Sequence, residues 1–171
     1  VVIEPLNGYR TKEQLPSNYG QFKTPIGEIE ILKEGTDITL VSYGSTFNIV
    51  INVAEEIEKY GISCEVIDVQ SLIPFDIKKE ISKSVIKTNR LLIIDEDLPG
   101  GCSSYILQEL LEKQDIYEHL DSKPSLLTAK DHRPPYGSDG DYASKPSFED
   151  IFERIYSIMR ESDPKKYKEL F

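Results

Sequence analysis

The sequence is poor in the side chains from which cofactor and metal sites are usually built. It holds two cysteines, Cys64 and Cys102, and two histidines, His119 and His132. The cysteines form neither a Cys-x-x-Cys pair nor a metal-ligand spacing, and two histidines without a cysteine cluster do not make a zinc site. Two cysteines in no such pattern fit reduced thiols in the cytoplasm better than a disulfide framework, so a cytoplasmic location is the expectation. Basic residues are short as well: 20 Lys and Arg against 30 Asp and Glu give a formal net charge of −10. Nucleic-acid binding relies on clustered Lys and Arg, and these are scattered, so a nucleic-acid partner is excluded whereas a basic protein partner is not. No apolar run approaches the roughly 18 residues that span a bilayer, so no membrane is expected. There is no initiating methionine, and Val1-Val2-Ile3 is too short an apolar start for a signal peptide. The expectation is a piece cut from a longer chain, its first residues left over from an upstream strand.

What is present is alternation of two periods. The stretch from Pro5 to Gly27 is rich in glycine, proline, asparagine and serine and sustains neither period, so it reads as an ordered linker with Tyr9, Tyr19 and Phe22 as apolar anchors. Strands are predicted at 28–33, 38–43, 66–69 within the stretch 63–72, 90–96 and 125–129. The run Leu91-Leu92-Ile93-Ile94 is continuously apolar, as suits a central strand covered on both faces. A helix is predicted over 46–60, with Phe47, Val50, Ile51, Ala54 and Ile57 on its buried face, Ser45 as cap and Gly61 as stop. A second starts at Pro74-Phe75-Asp76 and stacks Ile77, Ile81 and Val85, and a third covers 103–113 with Ile106, Leu107, Leu110 and Leu111 inward. Ser147 and Asp150 form a capping box for a last helix that buries Ile151, Phe152, Ile155, Tyr156 and Met159. Strands and helices in alternation predict an α/β fold: a three-layer α/β/α sandwich around a mostly parallel five-stranded, Rossmann-like sheet. The domain plan is 1–27 for the end of an upstream domain and linker, 28–161 for the α/β domain, and 162–171 for a tail.

Open sheets of this kind bind ligands beyond the carboxyl ends of their strands, and the turn there, Tyr43-Gly44-Ser45-Thr46, carries one glycine where a pyrophosphate-binding fingerprint needs three. No cofactor-binding residue and no metal ligand is therefore assigned. Cys102 is the sharpest catalytic candidate, because it follows Gly100-Gly101 at a strand-to-helix junction, with Glu96 and either His132 or His119 to complete a cysteine-histidine-carboxylate set. Against it, Ser104 stands where a nucleophile elbow has its second glycine, and a small residue near a helix start is the plainer reading. His132 lies at the end of the fifth strand, on the edge where sites form, but a lone histidine in a proline-rich loop more often makes a structural hydrogen bond. Ser138-Asp139-Gly140-Asp141-Tyr142 has a superficial calcium-loop look, but its glycine falls between the aspartates and no bidentate glutamate follows, so a tight turn is the better reading. The tail from Asp163 to Phe171 is locally basic and either docks on a partner or frays.

Several segments taken in order are more specific than any one motif. Thr24-Pro25-Ile26-Gly27, the run from Glu34 to Gly44, the run from Gly61 to Asp68, Ile73-Pro74-Phe75-Asp76 and the run from Lys83 to Thr88 together resemble the transketolase C-terminal domain family. More narrowly they resemble the beta chain of the decarboxylating component of 2-oxo acid dehydrogenases, of the branched-chain (2-oxoisovalerate) type. Departures are Val69-Gln70-Ser71 where Leu-Arg-Thr is usual, Asp95 where a histidine often precedes Glu96, and Cys102 where phenylalanine is common. The resemblance implies a parent enzyme that uses thiamine diphosphate and magnesium to decarboxylate a 2-oxo acid and passes the acyl group to lipoyl-lysine on an acyltransferase. It further implies that upstream domains hold the cofactor, that no catalytic residue lies in this piece, and that this domain organises subunits, as a homo-oligomer, and helps seat the partner. Three alternatives stay open: the same domain of transketolase or deoxyxylulose-phosphate synthase, a cysteine hydrolase using Cys102, and a plain binding module.

Overall fold

The computed structural model describes residues 1–171 apart from Glu13, Ser138 and Phe171. The first residue of the calcium-loop-like segment and the last residue of the tail therefore lie outside the described residues. Five strands, β1 (Glu30–Lys33), β2 (Ile38–Ser42), β3 (Cys64–Asp68), β4 (Leu91–Ile94) and β5 (Ser125–Leu127), form one sheet in the order β1-β3-β2-β4-β5. All neighbours run parallel except β1, which pairs antiparallel with β3. Every residue of β2 and β4 is buried. That is the signature of central strands with a helix layer on each side, and the three-layer, mostly parallel expectation holds.

Successive side chains of a strand point to opposite faces, so each strand feeds two separate cores. Leu40, Val66, Leu92 and Ile94 pack with helix α1 (Phe47–Ile57) and with the long last helix, through Val50, Val53, Ala54, Ile57, Ile151, Ile155 and Met159. Val41, Ile67, Leu91 and Ile93 pack with Ile81 and Val85 of α2 (Glu80–Thr88) and with Ile106 of α3 (Cys102–Gln108). From β2 the chain crosses over α1 to β3, then returns over α2 to β4 on the far side of β2. Reversing direction at constant hand moves the crossover to the other face.

Several boundaries differ from the sequence expectation for reasons that involve distant residues. Helix α1 is preceded by a 3-10 turn, Gly44–Thr46, and ends in another, Glu58–Tyr60, before Gly61 stops it at φ 74°. Ser45 does not cap this helix: its hydroxyl donates to Glu96 Oε2 at 2.6 Å. The second helix begins at Glu80, not at Pro74, because Lys79 sits in the left-handed region at φ 55°. Its cap is the buried Asp76 carboxylate, which accepts from the N–H groups of Glu80 and Ile81, both at 2.9 Å. Ile77, placed in the predicted stripe, is accordingly exposed. Helix α3 continues into a π-helical turn, Glu109–Lys113. A short helix α4 (Gly140–Ser144) occupies the region read as a tight turn and leads to α5 (Phe148–Ser162), whose Ser147–Asp150 capping box is present as predicted.

The two ends behave in opposite ways. Tyr9, Tyr19 and Phe22 anchor nothing here: each is at least 63% exposed. The tail neither frays nor stands free, because Tyr167 is 3% exposed in the α1/α5 core and its hydroxyl donates to Gly61 O at 3.3 Å. Among the described residues no helix is long and apolar enough to cross a membrane.

Gly35 sits against the start of β3, where a Cβ would lie 2.1 Å from the Cys64 carbonyl carbon, whereas Gly61 faces open space. Gly35→Ala should therefore destabilise the chain by about 3 kcal/mol or more, since the backbone it meets cannot give way. Gly61→Ala should cost about 1 kcal/mol, the penalty of a left-handed alanine alone. Urea denaturation of the two variants measures the difference, and equal losses would contradict this packing.

Candidate functional site

Reversal of the chain at β2 opens a crevice at the carboxyl end of the sheet. The turn after β2 leads to one face and the turn after β4 to the other, and β2 and β4 are neighbours, so the two turns part there. The resulting hollow, about 670 Å³, is walled by Gly44, Ser45 and Thr46 on one side, Glu96 on another, and Lys145, Ser147 and Phe148 at the entry to α5. Such a volume suits a small molecule.

The two carboxylates that follow β4 have different environments, and of the two it is Glu96 that lines the hollow. Asp95 is 1% exposed and accepts three hydrogen bonds: the Tyr43 hydroxyl at 2.7 Å, and the N–H groups of Asp97 and Ser103, both at 3.0 Å. Its bond to Ser103 N fixes the start of α3. The Tyr43 phenol lies beside both Asp95 and Cys102, and burial first, then these two neighbours, push its pKa far above the ordinary tyrosine value. Glu96 is half-exposed, and one oxygen accepts from Ser45 Oγ at 2.6 Å and Lys145 Nζ at 3.1 Å.

The residues singled out from the sequence are not gathered into a catalytic set. Cys102 is half-buried as the first residue of α3, next to the Tyr43 hydroxyl. Glu96 is engaged by Ser45 and Lys145. The His132 imidazole bonds its neighbour, the Arg133 carbonyl, at 2.8 Å on an exposed loop, in keeping with the structural reading. His119 lies at the opposite edge of the sheet, where its carbonyl accepts from Asn89 just ahead of β4. Among the described residues no hydrogen bond joins Cys102 to a histidine, and no group of three or more His, Cys, Asp or Glu is placed to hold a metal ion. What the sequence reading missed is the Tyr43–Asp95 bond and the Ser45–Glu96–Lys145 bridge, each joining residues about fifty positions apart. The signals the sequence offers for them are the Tyr43–Thr46 turn, the candidate Glu96 and Asp95 as a departure from the family pattern; Lys145 carries none.

A third strand end carries a lesser feature. Asp68 closes β3 opposite Glu30 of β1, and burial, with Glu30 adding to it, raises its pKa above the usual carboxylate value. Gln70, at φ 37°, turns its amide to Glu30 at 2.8 Å.

Residues 27–145 match the family of the transketolase C-terminal domain. The pyruvate dehydrogenase E1 component subunit beta of Mesostigma viride is 32% identical over 151 residues, 88% of this chain and 45% of that protein. The protein of the same name from Staphylococcus epidermidis is 33% identical over 161 residues, 93% of this chain and 48% of that one. A mitochondrial 2-oxoisovalerate dehydrogenase subunit beta 2 of Arabidopsis thaliana is 39% identical over 115 residues, 66% of this chain and 31% of its own length. The chain thus spans about half the length of the pyruvate dehydrogenase subunits it matches. Among solved structures, a split-gene transketolase described as an inactive beta4 tetramer superposes with a TM-score of 0.65 at 22% identity, covering 85% of this chain and 46% of that one. A 2-oxoglutarate:ferredoxin oxidoreductase from Magnetococcus marinus gives 0.52 at 15% identity, with 83% and 21% covered. At these identities the two structures establish the fold.

Two measurements check the environments above. A tyrosine whose folded pKa is raised contributes stability that is present below the ordinary pKa of about 10 and is lost as pH rises beyond it. Tyr43 should thus stay protonated while exposed tyrosines ionise, and in a spectrophotometric titration Tyr43→Phe should leave the native curve unchanged and reduce only the amplitude released on alkaline unfolding. Cys64 is fully buried, and burial pushes its thiol up to about 12. Iodoacetamide at about pH 8, below the ordinary thiol pKa of about 8.5, should label Cys102 in the native chain and Cys64 only after unfolding; equal native labelling, read by mass spectrometry, would contradict the packing of β3.

Proposed function

Since the chain belongs to the transketolase C-terminal domain family, we propose that it is the assembly domain of a thiamine diphosphate-dependent 2-oxo acid dehydrogenase. It organises subunits and the docking of a lipoyl-bearing acyltransferase, while other domains carry the cofactor. The relatives named pyruvate dehydrogenase E1 subunit beta support the reaction class, oxidative decarboxylation of a 2-oxo acid. The branched-chain substrate is the finer part of the proposal and draws support from the 39% identity to a 2-oxoisovalerate dehydrogenase subunit. Unpaired Cys64 and Cys102 suit a reducing compartment such as the cytoplasm.

The observation that carries the assembly role is the apolar surface of the first 26 residues. Val1, Val2, Ile3, Leu6, Tyr9, Leu15, Tyr19, Phe22 and Ile26 are each at least 63% exposed. Fully burying a side chain of this size is worth roughly 1.5–3 kcal/mol, so a segment that leaves nine of them in water is built to be covered by another surface. We accordingly keep 1–27 as a connecting segment, 28–161 as the domain and 162–171 as its tail, with the tail folded back through Tyr167.

Thiamine diphosphate and magnesium do not fit the residues of this chain. The turn after β2 offers one glycine, Gly44, and the nearest carboxylates, Asp95 and Glu96, are committed to Tyr43, Ser45, Lys145 and backbone N–H groups. The contribution to the reaction is therefore positional: fixing the separation of cofactor-bearing domains to the tolerance that catalysis needs.

The 171-residue chain should show no magnesium-dependent binding of thiamine diphosphate below the millimolar range by calorimetry and should turn over neither pyruvate nor 2-oxoisovalerate. Either activity in the chain alone would overturn this division of labour. In the parent enzyme, competing assays with branched 2-oxo acids, pyruvate and ketose phosphates separate the dehydrogenase reading from that of a transketolase or deoxyxylulose-phosphate synthase.

A further inference from the structure

We propose that the crevice between the ends of β2 and β4 is a binding site for a compact oxyanion, a single phosphate or carboxylate group, held by the uncapped start of α1, the Thr46 hydroxyl and the Lys145 ammonium. Three independent observations converge there. The first is topological: the crevice lies where the strand order reverses, which is where open parallel sheets take their ligands. The second is the helix itself. No side chain caps the Gly44–Thr46 turn or α1, which has 11 residues; Phe47 N–H bonds Gly44 O, so the turn runs into α1 and the positive end of the helix dipole lies at the turn that lines the hollow. The third is Thr46, which lines the crevice, is 2% exposed, and has an Oγ1 without a hydrogen-bond partner. A buried hydroxyl with no partner costs about 1–3 kcal/mol, and a ligand oxygen placed against it would recover that.

The anion must be small and must compete. Only Gly44 in the turn lacks a side chain, so a dinucleotide pyrophosphate has no second glycine to lie against, whereas one oxyanion needs none. Glu96 is the chain's own anion at this place, already bonded to Ser45 Oγ and Lys145 Nζ. It leaves Thr46 Oγ1 unfilled, and an incoming oxyanion draws Lys145 and Ser45 away from it. Asp141, the other acid on the wall, is 71% exposed and 3.9 Å from Lys145, so solvent screens it. Glu96 thus sets a weak, adjustable affinity.

The test is an amide-resolved NMR titration of the chain with sodium phosphate, and separately with sodium acetate, up to about 50 mM against chloride at matched ionic strength, a range that reads millimolar dissociation constants. Saturable shifts at Ser45, Thr46, Phe47 and Asn48 with phosphate or acetate, absent with chloride, are expected, and the stronger of the two arms tells which oxyanion the site prefers. Thr46→Val should weaken binding about tenfold, the equivalent of one charge-assisted hydrogen bond. Lys145→Met should weaken it, and Glu96→Gln, which removes the competing charge from a half-exposed position, should tighten it several-fold. Absence of saturable shifts at these amides, or shifts that Thr46→Val and Lys145→Met leave unchanged, overturns the site. The result does not bear on thiamine diphosphate, whose magnesium-dependent binding is measured separately.

Discussion

Strand β2 has a hydrogen-bonded neighbour on each edge and a helix layer over each face, so none of its five residues reaches water. That constraint orders the rest. A chain that places one crossover on each face must leave β2 in one direction and come back past it in the other, and the turns after β2 and β4 must then diverge. The crevice at their divergence is a geometric result of covering the strand twice. Its chemistry is a separate matter, decided by which side chains end those strands.

Burying β2 and β4 so completely also buries polar groups, and each of these is answered by a contact from a distant element. Thr39, the second residue of β2, shares hydrogen bonds with Ser84 and Thr88 of α2, at 2.6 and 2.7 Å, which fixes the helix on the sheet. Glu65 on β3 is 1% exposed. Burial pushes its carboxyl up, yet the bonds from Lys87, Ser84 and the Gly35 N–H outweigh this and hold it below the usual value. Asp95 plays the same part at the carboxyl end, tying Tyr43 to the start of α3. At the amino end Arg90 donates to Asp37 O at 3.0 Å and pairs with Asp121. Buried polar groups paired in this way specify which element lies over which.

Elements whose cause is local were legible in the sequence: the continuous apolar run of β4, the Gly61 stop, the Ser147–Asp150 box that starts α5. Elements with a non-local cause were not. Nothing near Pro74 announces that its helix waits for Glu80, because the delay depends on Asp76 being buried with Gln114, 38 residues on, also donating to it. Ser45 has the chemistry of a cap and the position of one, but Glu96 takes its hydroxyl across the crevice. Tyr167 reads as part of a charged tail until the space between α1 and α5 that it fills is known. The candidate site divides along the same line: the turn at Tyr43–Thr46 was visible, whereas Lys145, a hundred residues away, enters only through the path of the chain after β5.

The exposed apolar segment and the acidic balance act on the same question from two sides. Nine large apolar side chains in water favour association, while a net charge of −10 opposes the approach of a second copy through any face that concentrates it. Between Val1 and Ile26 the basic residues Arg10, Lys12 and Lys23 outnumber the acids Glu4 and Glu13, so the apolar segment adds nothing to that repulsion. Under the proposed assembly role, association through it would be hydrophobic and little changed by salt, whereas an encounter of the acidic α/β body with a basic partner would be steered by charge and weaken as salt rises. The two surfaces thus differ in kind, one suited to a permanent contact and the other to a transient one, and that difference is what the proposed assembly role would require.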